Sequence, residues 1–143
     1  MFGLDDQFTV TVPISEDGAT TYMTSGYFKT IALPIGALYE VSAFAVSAAT
    51  DCAAQDTNYM TVTLTDASGN SIAAVANGTS TTGTDFDVNP ATGADSTLTA
   101  AYKRIDCSAA ASYLKIVTTG TGAGRVCPGL QAHVTIKRLR NPS

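Results

Sequence analysis

The chain has 143 residues, enough for one domain that buries roughly two-thirds of its unfolded surface without metal or disulfide staples. Hydrophobic residues make up 45%, with no Trp, and charged residues only 14%, so Thr, Ser, Asn and Gly must cover much of the surface. A net charge of −4 argues against nucleic acid as a partner, and no stretch approaches the roughly eighteen apolar residues of a membrane-crossing helix.

In chain order, Phe8, Val10, Val12 and Ile14 alternate with Thr9, Thr11 and Pro13, which predicts a first strand. Pro13 cannot donate a ladder hydrogen bond, so that strand should lie at an edge or end there. A second strand is expected over 20–30, followed by an apolar turn, Leu33-Pro34-Ile35-Gly36. Residues 37–49 are nearly continuously apolar and predict a long central strand, with Glu40 as a polar gap. Tyr59 to Val75 then reads as a hairpin: Met60, Val62 and Leu64 alternate with Thr61, Thr63 and Thr65, and Asp66 to Asn70 supply a turn.

Residues 77–95, rich in Gly, Thr and Asp, are expected to be a long loop. Strands are expected at 97–105, with Leu98, Ala100 and Tyr102 on one face, at 112–119, and at 131–139. Only 108–112 offers a single helical turn. The expectation is an all-β, single-domain β-sandwich of about eight strands over 1–143, of jelly-roll or immunoglobulin-like topology, with short arms at 1–7 and 137–143. The N-terminus lacks the basic and apolar regions of a secretion signal, so synthesis in the cytoplasm is expected.

Chemistry-bearing motifs are few. His133, the lone histidine, lies opposite Val134 and Ile136 on its strand, where a solvent-facing position is expected. Gly120 to Arg125, GTGAGR, has neither the following helix nor the Lys of a phosphate loop. Asp85, Asp87 and Asn89 alternate as three oxygen donors, but Pro90 stands where an EF-hand loop needs Gly, which leaves turn formation as the main reading and a non-EF calcium site as the alternative. Asn77-Gly78-Thr79 fits a glycosylation pattern but, without a secretion signal, reads more simply as a turn. Six scattered tyrosines would bind sugar only if two or three shared an exposed face. The acidic pairs Asp5-Asp6 and Glu16-Asp17 lie in a terminus and a turn, without the dry cleft a general acid needs. No catalytic set and no cofactor are expected.

Cys52, Cys107 and Cys127 lack zinc-site spacing. Buried thiols are expected, with a Cys107–Cys127 disulfide as the alternative. Charge is split along the chain: residues 1–100 carry eleven acids and one base, and 101–143 carry seven bases and one acid. Either opposite charges meet within the fold, which is the preferred reading, or a basic edge meets an acidic partner.

The Thr/Ala/Gly-rich strands, the hairpin TVTLTDASGNSIAAV and the closing pair YLKIVTTGTGAG and LQAHVTIKRLR together resemble small virion proteins of tailed phages, most of all capsid decoration (cement) proteins. That resemblance implies a non-enzymatic structural protein on the outer surface of a phage head. Its partners would be the major capsid protein and copies of itself, as dimer or trimer, with neither nucleic acid nor membrane. Partner contacts are then expected in the arms and the long loop, at Lys137, Arg138 and Arg140 and at Asp85, Phe86 and Asp87. The alternative is a glycan- or receptor-binding sandwich module of a tail, fibre or extracellular protein.

Overall fold

The computed structural model describes residues 6–14, 28–47, 59–76, 98–121 and 130–139. Eight strands run in order: β1 Asp6–Pro13, β2 Phe28–Leu33, β3 Leu38–Ser47, β4 Tyr59–Thr65, β5 Ser71–Ala76, β6 Arg104–Asp106, β7 Ser112–Thr121 and β8 Gln131–Leu139. They form two four-stranded antiparallel sheets, ordered β1-β8-β3-β6 and β2-β7-β4-β5. The pairs β1·β8, β2·β7, β3·β6 and β4·β5 are what one long hairpin would make if folded over on itself. This is the jelly roll, and the immunoglobulin-like alternative is thereby set aside.

Period-2 burial explains how the sheets close. On the first sheet Tyr39, Val41, Phe44, Val46, Ala132, Val134 and Ile136 face inward, and on the second Ile31, Leu33, Val62, Leu64, Leu114 and Ile116 meet them. The phase of β3 jumps between Val41 and Phe44, where a bulge adds one residue against β8. The outward alanines Ala43 and Ala45 make the strand look nearly continuously apolar in sequence, and Glu40 is an ordinary outward position rather than a gap.

Pro13 ends an edge strand, as expected. The Ile14 N–H donates to the Leu130 carbonyl at 2.9 Å. Alternate residues of an antiparallel strand point the same way, so Val12, Val10 and Phe8 also face β8, and the N–H that Pro13 lacks falls on the free side, where its loss costs the ladder nothing.

Three short turns lie at one end of the sandwich. In the β2–β3 turn Gly36 has φ 111°, a left-handed conformation that favours glycine. Its N–H donates to the Cys107 carbonyl at 2.8 Å, the Cys107 N–H donates to Ala37 at 2.8 Å, and the Tyr39 hydroxyl donates to the Pro34 carbonyl at 2.9 Å. In the β4–β5 turn the Asp66 carboxylate accepts from the N–H groups of Ser68 (3.0 Å) and Asn70 (2.9 Å) and from the Asn70 amide (2.9 Å), while Gly69 takes φ 88°. The third turn, 107–111, joins β6 to β7.

One sequence expectation fails. The strand expected at 97–105 is a crossover: the Thr99 carbonyl accepts the N–H groups of Tyr102 and Lys103, and only Arg104–Asp106 is extended. The segment spans the sheets, since the Thr99 N–H donates to Ile72 on β5 and the Val41 N–H on β3 donates to Lys103. The second strand is described at Phe28–Leu33, running through Leu33 into the expected turn, and the 20–27 part of the strand expected over 20–30 lies outside the described residues. No helix occurs among the described residues, 108–112 included.

Candidate functional site

The outward positions of the two sheets are the surfaces this fold offers. On the first sheet, cross-strand register builds the outward rows Gln7–Lys137–Glu40–Arg104, Thr9–Thr135–Ala43, Thr11–His133–Ala45 and Pro13–Gln131–Ser47. On the second, Thr30, Ala32, Tyr113, Lys115, Val117, Thr119, Thr61, Thr63 and Ala74 face out, with Lys115 the only charge among them. The described outward positions are therefore mostly short side chains, and nearly uncharged away from one end.

At that end, Glu40 gathers the basic residues. Its Oε1 lies 3.4 Å from Lys103 Nζ and its Oε2 3.4 Å from Arg104 Nε, and Lys137 is its cross-strand neighbour on β8. Opposite charges from the two halves of the sequence meet here, as the preferred reading of the charge split expected. Arg104 remains 61% exposed, so the pairs are surface pairs, worth at most about 1 kcal/mol each. Asp106, on the same strand, is exposed and accepts the Ser108 N–H at 2.9 Å; hydrogen bonds from the Ser108 hydroxyl and N–H hold its pKa below the ordinary carboxylate range.

His133 is not the simple solvent-facing residue expected. Its ring is half-buried, with Nε2 2.7 Å from Ser47 Oγ and Nδ1 3.0 Å from Thr11 Oγ1, and burial lowers its pKa below the ordinary histidine value. The ring ties β1 to β3 across β8. A Ser–His pair at 2.7 Å invites comparison with a nucleophile and its base. Here Thr11 stands where a carboxylate would orient and charge the imidazole, and Ser47 is only 6% exposed. The arrangement acts as a neutral clasp. Sequence missed it because its partners lie 86 and 122 positions away.

Of the expected contact residues, Lys137 is half-buried in the basic row and Arg138 is exposed beside it, while Arg140, Asp85, Phe86, Asp87 and Asn89 lie outside the described residues. Cys107 is a buried free thiol, raised in pKa chiefly by burial, and Cys52 and Cys127 lie outside the described residues. No cluster of His, Cys, Asp or Glu able to hold a metal occurs among the described residues. Tyr102 and Tyr113 are exposed at 39% and 41%, whereas Tyr39 is buried.

No protein-family model matches the chain, and no curated protein matches it in sequence. Among solved structures, a chain of the T13 IBDV viral particle aligns with 96% of this chain at 15% identity and a TM-score of 0.30, this chain covering 32% of it. A chain from the structure of infectious bursal disease virus Gt strain aligns at 12% identity and a TM-score of 0.17, 40% of it covered. The chain thus spans about a third to two-fifths of those chains.

Proposed function

We propose that the chain is a structural protein of a virus particle, a decoration protein that seats on a shell of major capsid subunits and braces their contacts. The observation that carries this reading is the outward rows of the two sheets, dressed mostly in Thr, Ala, Ser and Val, with Lys137, Glu40 and Arg104 confined to one row and Lys115 the one charge among the outward positions of the second sheet. Such faces meet other proteins at low desolvation cost. The jelly roll supports the reading by analogy of fold alone, since viral capsid domains, lectins and cupins all use it. The protein acts by contact and performs no turnover.

Co-expression with the major capsid protein of its own virus tests this. The chain is expected to sediment with the shells through a density gradient and to raise their melting temperature. A folded chain left at the top of the gradient at saturating concentration refutes it.

A second reading rests on Tyr102 and Tyr113, two exposed aromatics on a fold that lectins share. It expects saturable binding on a glycan panel, lost in Tyr113→Ala. Absence of binding across the panel removes it.

A further inference from the structure

Of the four sheet edges, three carry a feature that discourages further pairing. On β2, Lys29 shares the inward row of Ile116 yet remains exposed, an inward-pointing charge at the edge. β5 is bulged against β4, and β6 is three residues long.

β1 carries such features only at its two ends, Asp6 and Pro13. Between them Gln7 to Val12, QFTVTV, has no charge and no bulge, and Phe8 to Val12 are strong β-formers. No described residue pairs with its free side, where the N–H and C=O groups of Gln7, Thr9 and Thr11 and the Pro13 carbonyl project. Its inward side chains are also incompletely covered. Phe8 shares a row with Ile136 and Val41, both 0% exposed, yet is itself 41% exposed, and Val10 and Val12 are only half-buried. A strand added here would satisfy the free backbone groups and shield Phe8 in one step.

We propose that the occupant is β1 of a second copy, paired antiparallel about Val10 to give one continuous sheet across a two-fold axis. The strand is self-complementary in that register. Val10 meets Val10 of the second copy, Phe8 meets Val12 on the inward side, and Thr9 meets Thr11 on the outward side. The free-side N–H groups of Thr9 and Thr11 then pair reciprocally with the opposite carbonyls, and the Gln7 N–H reaches the Pro13 carbonyl, while the donor missing at Pro13 costs one bond to the Gln7 carbonyl at each end of the ladder. No charges are brought face to face between residues 7 and 13. A second copy fits better than an unrelated strand because the pattern apolar–Thr–Val–Thr–apolar reads the same in both directions. This goes beyond the shell-binding reading and stands without it.

Light scattering on the full chain, from about 100 μM downward, tests the proposal. The wild type is expected at twice 14.7 kDa at the upper concentrations. Thr9→Pro removes a free-side donor and the exposed Thr9 hydroxyl contact with Thr135 Oγ1 (3.1 Å) but leaves the backbone ladder to β8 intact, so it is expected to give a folded species of 14.7 kDa. Phe8→Lys, an exposed position that does not depend on proline being accommodated, is expected to do the same. Val10→Cys should form a disulfide-linked dimer on oxidation where the wild type does not, because facing Cα atoms in such a pair lie about 4.5 Å apart. A wild type that is monomeric throughout, or a dimer that survives both Thr9→Pro and Phe8→Lys, overturns the proposal. A dimer in which Val10→Cys fails to cross-link overturns the Val10-centred register.

Discussion

Deleting one residue from β3 should be nearly harmless at one position and severe three positions later. Val41 faces Ile136 and Phe44 faces Val134, so the chain uses two residues, Ser42 and Ala43, where β8 uses only Thr135. Removing Ser42 leaves Val41, Ala43 and Phe44 in regular alternation, with every inward residue still inward. Its known losses are the bulge and the Ser42 hydroxyl bond to the Thr135 carbonyl at 3.3 Å, together about 1 kcal/mol. Removing Ala45 offers no such escape. With Phe44 inward, Val46, now 1% exposed, turns to solvent and leaves a void beside Ala132. Lost burial of a valine and the cavity left behind come to about 3 kcal/mol. Urea unfolding of both deletion variants, compared at equal m, reads the difference. Equal destabilisation, or a larger loss for Ser42, would refute the assignment of the bulge.

Asp66→Ala should cost about 2 kcal/mol by stranding the N–H groups of Ser68 and Asn70, with Asp66→Asn milder because one oxygen remains to accept them. Ser68→Ala serves as the neutral control, since the carboxylate is bonded to its main chain, and midpoint shifts that fail to separate Asp66→Ala from it would remove the carboxylate's role. His133 should make stability depend on pH. Its folded pKa lies below the ordinary value near 6.5, so as pH falls the unfolded chain takes up the proton first. This contribution is intact above pH of about 6.5 and declines as pH falls toward the folded pKa. His133→Gln should flatten the slope between pH of about 5 and 7, and an unchanged slope would contradict it.

How much of this was legible in sequence depended on how local each feature is. The hairpin at β4–β5 and the bounds of β8, Gln131–Leu139, follow from unbroken alternation and turn chemistry carried by neighbouring residues. Jelly roll and immunoglobulin-like topologies could not be separated, because the deciding pair, β1 with β8, joins opposite ends of the chain. The strand expected at 97–105 failed for a physical reason. Leu98 is half-buried and Tyr102 exposed, so the spacing imitates a strand while the Thr99 carbonyl closes a turn on Tyr102 and Lys103. The His133 clasp was illegible because hydroxyls carry no signature at a distance, whereas the meeting of bases with Glu40 was foreshadowed by the charge split.

The charges of that split mingle in the fold. Lys103, Arg104, Lys137 and Arg138 lie towards the end with the short turns, and so do Glu40, Asp106, Asp66 in the β4–β5 turn and Asp6, the register partner of Arg138. On the shell-binding reading, carboxylates of the shell would be met by the bases of this end. The double variant Arg104→Glu with Lys137→Glu should then weaken shell binding and reduce its salt dependence, because two favourable charge contacts become repulsive. If the variant folds and binds shells as tightly as the wild type at low salt, Arg104 and Lys137 are not part of the contact.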